Sequence, residues 1–379
     1  MALPSSTDIL IVGGGLSGLM AAWHLHRAGH DVHLIEARPR LGGRVETTPE
    51  HTCDLGPSWF WPTQPLIARL IEHFGLERYA QFAEGITLHQ NAAGLTQPMM
   101  PTSPMAGAFR LRGGMHALVD ALAYDLPSET YTFNHAATAL TYTNGRVQIE
   151  MMTPTGRATI NTQRVALALP PRLAASLRFA PWLSETAQAT LLNTPTWMAG
   201  HAKFFAVYKR PFWRGRGLCG SAISQRGPLA EIHDASTPDG AYSLFGFAGL
   251  DAEHRAALSE TAFTEQALAQ LNDLFGPEAA QPVATFFQDW SAEPFTAHPT
   301  DRAPQTRHPQ YGLDLRLDAP WSERLAFISS ETSFTSGGLI EGALESGLYY
   351  AQAVVGDTTT TSEDHEHPPH KASMGWDWL

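Results

Sequence analysis

Cysteine is nearly absent: Cys53 and Cys219 are the only two in 379 residues. That excludes a disulfide scaffold and points to a reducing compartment. Positive charge is also scarce. Lys and Arg number 25 against 37 Asp and Glu, a formal net charge of -12, which repels a nucleic-acid backbone and an anionic membrane surface alike. No uninterrupted apolar run approaches the roughly eighteen residues of a membrane span. Met1 to Thr7 carries no basic segment, so the start reads as a strand and not as a secretory signal. Charged residues are only 16% and apolar residues 43%, a globular composition that can bury a core. The expectation is an acidic, soluble, cytoplasmic protein of two domains, with no nucleic-acid or membrane partner. Its oligomeric state is open at this stage.

What is present begins at once. Asp8 to Val12 is an apolar run, Gly13-Gly14-Gly15-Leu16-Ser17-Gly18 follows, and Leu19 to Arg27 leads to Gly29. This is a buried strand, a glycine turn and a helix closed by glycine. Asp31 to Ile35 is a second strand ending at Glu36, which completes a βαβ unit. Gln64 to Phe74 has helical spacing with a stop at Gly75, and Met115 to Leu122 is again helical. Residues 76–110, with Pro98, Pro101 and Pro104, read as a crossing between domains. Thr130 to Met152 reads as a hairpin turning at Asn144-Gly145, and Arg164 to Leu169 as a strand ended by Pro170-Pro171. Lys203 to Tyr208 and Leu325 to Ser329 are further strands. Ser259 to Phe275 and Leu339 to Val355 are helices, and the chain turns polar after Gly356.

The pattern Gly13-x-Gly15-x-x-Gly18 alone marks only a tight turn, and a βαβ unit without a ligand is the bland alternative. Its context points further. A strand precedes it, a helix follows, and Glu36 ends the second strand. Gly13 permits the turn, Gly15 admits a pyrophosphate to the backbone, and Gly18 lets helix and sheet pack. The helix N-terminus offers free N–H groups and a positive dipole end to an anion. Glu36 can accept hydrogen bonds from ribose hydroxyls. The continuation Glu36-Ala37-Arg38-x-x-x-Leu41-Gly42-Gly43-Arg44 favours FAD over NAD, with Arg44 available to neutralise a diphosphate.

The run from Asp8 to Arg44 resembles the flavin-containing amine oxidase (monoamine oxidase) family. So do Asp54-Leu55-Gly56 with Trp59, Arg112-Gly113-Gly114-Met115, Leu169-Pro170-Pro171, and Ser330-Glu331-Thr332 followed by Gly338 and Glu341-Gly342-Ala343-x-x-Ser346-Gly347. The resemblance covers residues 8 to about 355. It implies an α/β fold: a Rossmann-like FAD-binding domain with a second, mixed-sheet α+β substrate domain. The FAD-binding domain would be 1–75, 106–178 and 310–355, and the substrate domain 76–105 and 179–309. Residues 356–379 would be a polar tail. The implied cofactor-binding set is Gly13, Gly15, Leu16, Ser17, Gly18, Glu36, Ala37, Arg38, Gly42, Gly43, Arg44, Gly56, Pro57, Ser58, Ala137, Glu331, Gly338, Leu339 and Ile340. The last helix would aim its N-terminus at flavin N1 and the C2 carbonyl, where the reduced flavin carries negative charge.

Counted back from Lys209-x-Pro211-Phe212-Trp213, Lys203 falls where that family has its active-site lysine, which holds a water beside flavin N5. The plain alternative is a strand lysine that reaches solvent. Desolvated, it would have a lowered pKa and serve as a proton shuttle or oxygen-activating group. Trp290 resembles the tryptophan found ahead of the family's flavin-linking or flavin-facing segment, which makes it a second catalytic candidate; as a bare residue it reads equally as core. Three departures stand out. The positions that match the tyrosines caging the amine fall near Thr300 and at Leu339, so that cage is expected to be absent. No cysteine occurs in 291–300 to link FAD covalently, so FAD is expected non-covalent. The stretch between Gly75 and Gly113 is far shorter than in most of the family. Trp59, Phe60, Trp61, Trp197, Phe245 and Phe247 are candidates to rebuild an apolar pocket. The 17 histidines show no helix-borne zinc pattern, and His365, His367 and His370 fit a polar tail better than a metal site. The expected activity is an FAD-dependent oxidoreductase that removes a hydride from the carbon bearing a small amine. A flavin desaturase or isomerase of a bulky apolar substrate, and a non-catalytic FAD-binding partner subunit, are the alternatives.

Overall fold

The computed structural model describes residues 3–360 other than 304, 306 and 314, and the side chains of 3–356. His365, His367 and His370 therefore lie outside the described residues. The opening unit forms as its pattern predicts: strand β1, Ser6–Val12, helix α1, Leu16–Arg27, and strand β2, Val32–Ile35. β1 and β2 pair in parallel, Ile9 opposite Val32 through Val12 opposite Ile35. Both strands are buried on both faces at these positions, as parallel strands covered by helices are.

The long strand Gly156–Leu167 builds the first sheet. Its early residues pair antiparallel with Arg146–Thr153. Its later residues run parallel to β1 on one side and to Leu325–Phe327 on the other. The sheet order is Arg178–Ala180, Ala136–Thr143, Arg146–Thr153, Gly156–Leu167, β1, β2, Tyr131–Thr132. The hairpin expected from Asn144-Gly145 is present, and both turn residues have positive φ, as its short loop requires. The strand expected at 164 starts at Gly156 instead, because its polar first half pairs within the antiparallel meander.

The second sheet has seven strands in the order Ala284–Asp289, Ala202–Tyr208, Tyr242–Ala248, Leu229–Asp234, Leu218–Ser224, Glu84–Gln90, Thr96–Thr102. It is antiparallel except where Leu218–Ser224 meets Glu84–Gln90. Residues 76–110 are thus more than a crossing: they add a hairpin to this sheet and the short pair Arg78–Ala80 with Phe109–Leu111. Pro98 and Pro101 sit on the edge strand, where a missing N–H breaks no inner ladder. Helix Glu260–Phe275, capped by the Ser259 hydroxyl, covers the face carrying Ala202, Phe204 and Ala206. The opposite face is turned towards Cys53 and Leu55.

The last helix runs Ile340–Thr360, past the Gly356 stop expected from sequence. It lies against α1 so closely that a Cβ on Gly347 would sit 2.2 Å from the Ser17 carbonyl oxygen. Its Glu341 carboxylate accepts from the N–H groups of Leu66 (2.7 Å) and Ile67 (3.0 Å). That caps helix Pro65–His73 in place of an N-cap side chain. The fold is thus mixed α/β, with a parallel-rich sheet beside a second mixed sheet.

Candidate active site

Two glycine turns lie side by side at the C-terminal end of β1. Gly13 has φ +110°, and a Cβ on Gly18 would lie 2.0 Å from the Gly13 carbonyl oxygen, so α1 packs on the turn only because both are glycine. Gly15 differs. Its nearest neighbour to an added Cβ is the Gly42 carbonyl oxygen at 3.9 Å, so space stands open beside it. Gly15 is also the N-cap of α1 and supplies no side-chain cap to the helix amides. An open cradle with uncapped N–H groups is what a pyrophosphate needs. Gly42 closes the other side, donating its N–H to the Gly14 carbonyl at 2.8 Å. Leu16 is buried, and the Ser17 hydroxyl is turned away to the Ile328 carbonyl, which leaves their backbone as the part that can meet a phosphate.

Glu36 is buried at the end of β2. Its carboxylate accepts from Gly14 N–H (2.7 Å) and Arg38 N–H (2.8 Å). Arg38 turns one end of its guanidinium to Glu293 and Thr296, while its other nitrogen stands 3.9 Å from the Glu36 carboxylate. Ala37 is half-buried between them. Ala137 is the second residue of the strand that follows His135, whose N–H donates to the Glu36 carbonyl at 2.9 Å.

Arg44 makes a two-pronged ion pair with Glu331 at 2.6 and 3.0 Å and reaches Ser330. Burial opposes both charges, but the pairing overcomes it, holding Arg44 above and Glu331 below their ordinary ranges. The two expected ligands are thereby brought together. Gly338 follows with its N–H on the Ser330 carbonyl and φ +75°. Leu339 is exposed and Ile340 buried where the last helix begins. Thr300 is exposed in a short 3-10 turn.

Lys203 is 4% exposed in the strand Ala202–Tyr208. Its ammonium donates to the Asp54 carbonyl (3.0 Å), the Gly56 carbonyl and the Ser58 hydroxyl (2.8 Å). It stands 4.4 Å from the Phe245 ring centre and 5.3 Å from that of Phe247. Trp290 grips the same loop, its indole N–H on the Leu55 carbonyl at 2.9 Å. Gly56 lets this loop lie on the Arg44 backbone, since a Cβ there would meet the Arg44 carbonyl oxygen at 2.0 Å. Pro57 is half-buried and Ser58 buried. Burial pushes Lys203 down from its ordinary 10.5 to about 7, with Asp54 opposing and Arg110 adding to the shift. The plain alternative, a lysine that reaches solvent, does not hold: Lys203 is buried, and its ammonium meets three protein oxygens.

The aromatic set expected to form one pocket divides. Trp59, Phe245 and Phe247 face the Lys203 loop, buried Phe60 packs at a tilt against Phe109, and Trp61 is exposed. Trp197 packs with His201 and His308 near Gly338. Cys53 and Cys219 are buried and unbridged. Sequence reasoning missed Arg110, buried beside Asp54 at 3.3 Å. A lone arginine between Phe109 and Leu111 was its signal. It also missed Glu293 and Thr296, whose partner Arg38 is 255 residues away from Glu293. No cluster of potential metal ligands occurs among the described residues. No described helix is long and apolar enough to cross a membrane.

The chain is similar to several known proteins. The chain is 26% identical to pig (Sus scrofa) flavin-containing amine oxidase B, over 93% of its own length and 87% of that protein's. It is 23% identical to a probable flavin-containing monoamine oxidase A of Dictyostelium discoideum, over 92% and 97% of the two chains. Among solved structures, cyclohexylamine oxidase from Brevibacterium oxydans superposes with a TM-score of 0.77 at 18% identity, covering 94% of this chain and 100% of that one. A putrescine oxidase bound to putrescine gives 0.76 at 21% identity, covering 93% and 99%. The family model described as flavin containing amine oxidoreductase matches residues 16–101 and 86–355, so the chain belongs to that family of flavin enzymes.

Proposed function

We propose that the protein is an FAD-dependent amine oxidase that takes a hydride from the carbon bearing a small amine. Residues 1–75, 106–178 and 310–355 would bind the nucleotide, and 76–105 with 179–309 the substrate. The observation that carries the reading is the buried Lys203, set among aromatic rings and hydrogen-bonded to the loop that leads from the glycine cradle. Gly13–Gly18 and Gly42–Arg44 would hold the pyrophosphate, Glu36 the adenosine ribose, and the Gly338–Ile340 turn the pyrimidine end of the flavin. No cysteine occurs in 291–300, so FAD would be held without a covalent bond. When bound, FAD supplies the hydride acceptor.

The chain's own task is proton management. A protonated amine has no lone pair with which to form the C=N bond as its α-hydride leaves, so the substrate must first lose a proton. Lys203, lowered by burial to about 7, is partly in its neutral form at neutral pH, and that form can take the proton. The imine product then hydrolyses, and oxygen or another acceptor restores the cofactor. One observation favours the alternative of a desaturase or isomerase: Leu339, 37% exposed, stands at a cage-tyrosine position. Anaerobic mixing of the yellow holoprotein with amines, amino acids and polyenes tests both. Bleaching by amines supports the oxidase. Bleaching by polyenes alone supports the desaturase, and bleaching by none leaves the isomerase or a non-catalytic subunit.

A further inference from the structure

Arg38 belongs to the chain that follows β2, yet its side chain is held from the other sheet. Its Nε and Nη2 atoms donate to one Glu293 oxygen at 3.0 and 2.6 Å, and Nη2 also donates to the Thr296 hydroxyl at 2.9 Å. The Phe295 ring centre lies 5.5 Å from the guanidinium carbon. Glu293, Phe295 and Thr296 stand in a turn after strand Ala284–Asp289 that has little freedom. Asp289 starts it, accepting from the Ser291 N–H at 3.0 Å, and is itself fixed by Arg255 at 2.7 and 2.8 Å. The N–H groups of Thr296 and Ala297 close it on the Glu293 carbonyl at 3.0 and 2.9 Å. On the side of the first sheet Arg38 is equally tied. Its backbone N–H donates to the Glu36 carboxylate at 2.8 Å, and its Nη1 stands 3.9 Å from the same oxygen. Side-chain exposure is 9% for Arg38, 5% for Glu36 and 31% for Glu293. A guanidinium so far from water is costly to leave unpaired, which makes the link firm. Glu293 reaches water, so the pair can part without stranding a buried carboxylate. Every atom in the link belongs to the chain, so closing it needs no cofactor.

We infer that Glu293 and Thr296 gate cofactor exchange: through Arg38 they latch the second sheet to the turn at Glu36, and the dinucleotide enters or leaves only when that latch opens. This rests on the reading above that Glu36 holds the adenosine ribose. A residue that touches the cofactor, or only supports the fold, lowers affinity chiefly by speeding release. A latch acts differently, because it must open in both directions. Weakening it speeds uptake and release alike and moves their ratio little.

The test uses the full-length protein with FAD as the probe. Release is read as the rise of free-flavin fluorescence after dilution of the holoprotein. Uptake is read as the fluorescence lost on mixing FAD with the full-length chain stripped of flavin. In Glu293→Gln both rate constants are expected to rise about tenfold or more, the worth of a charge-assisted hydrogen bond, with Kd changed by less than about threefold. Thr296→Val removes one hydroxyl and keeps the ion pair, so both rates are expected to rise by a smaller factor. That variant decides the matter should Glu293→Gln not fold. A rise in release alone, in either variant, overturns the latch and leaves Glu293 and Thr296 as supports of affinity or fold. Unchanged rates in both directions overturn it as well. A parent that takes up no FAD overturns the cofactor reading together with the latch, whereas FAD bound and exchanged at unaltered rates overturns the latch alone.

Discussion

Replacing Lys203 with Met keeps a flexible apolar stem beside Phe205, Phe245 and Phe247 and deletes the ammonium. The Asp54 and Gly56 carbonyls and the Ser58 hydroxyl lose their donor. Each buried acceptor left unpaired costs about 1–3 kcal/mol. Removing the desolvated ammonium returns several kcal/mol, so the terms largely offset and Lys203→Met is expected to fold and to retain flavin. Its chemistry is expected to suffer: the half-reaction that needs the proton acceptor slows by about 10²–10⁴-fold. Stopped-flow measurement of anaerobic reduction, and separately of reoxidation, identifies the step. The parent's reduction rate is expected to rise with pH around 7, as Lys203 loses its proton, and the variant to lose that limb.

Stability supplies an independent readout of the same group. Lys203 is depressed to about 7 in the folded chain from an ordinary 10.5. Between those values the unfolded chain holds the proton and the folded chain does not, so parent stability gains with rising pH across that window. Below about 7 both states are protonated, and the burial penalty is constant and complete. Chemical denaturation at pH 6.5 and 9 is therefore expected to show a parent gain that Lys203→Met lacks. Two half-reactions within a few-fold of the parent, with an unchanged pH dependence of stability, would refute the assignment of Lys203 as a buried proton acceptor.

Glu36→Ala is expected to weaken FAD binding by roughly 1.5–3 kcal/mol, measured by flavin retention on dilution; unchanged retention removes Glu36 from the site. Acid precipitation is expected to release the yellow colour to the supernatant, and colour held in the pellet would disprove non-covalent binding. Gly18→Val puts a Cβ 2.0 Å from the Gly13 carbonyl oxygen, so α1 must shift. The variant is expected to lose flavin and melt earlier in a thermal scan, and a yellow protein with the parent's Tm contradicts the packing argument.

The glycine turn proposed to hold the nucleotide was legible because its demands are local. A glycine that must accept φ +110°, a helix that must start without a side-chain cap, and an acid at the end of the next strand each leave a mark within a few residues. Elements with strong periodicity, such as α1 and helix Glu260–Phe275, were legible for the same reason. The strand Thr96–Thr102 was hidden by Pro98 and Pro101, whose tolerance depends on the strand being an edge, a tertiary fact. The polar first half of Gly156–Leu167 was hidden because its partner, Arg146–Thr153, buries only alternate residues. The Arg44–Glu331 pair spans 287 positions and the Lys203–Gly56 contact 147. No spacing rule reaches so far, and a family resemblance located those residues without showing that they touch.

Contact between the two sheets explains why the loop at 54–58 is the place where the proposed chemistry and the folding meet. Leu55 and Gly56 hydrogen-bond back to Glu46, so the loop is an extension of the glycine-rich turn that ends at Arg44. From the other sheet, Trp290 holds Leu55 and Lys203 holds both neighbours of Leu55. Ser58 makes this clamp reversible in protonation. A charged Lys203 donates to the Ser58 hydroxyl at 2.8 Å; a neutral Lys203 has two donors and one lone pair, and the same hydroxyl can turn and donate to it. The lysine can therefore give up or accept a proton without breaking its hold on the carbonyls of Asp54 and Gly56. A group that works as both structural clamp and proton acceptor needs a partner that can reverse its hydrogen bond, and among the three oxygens around Lys203 only that of Ser58 carries a proton.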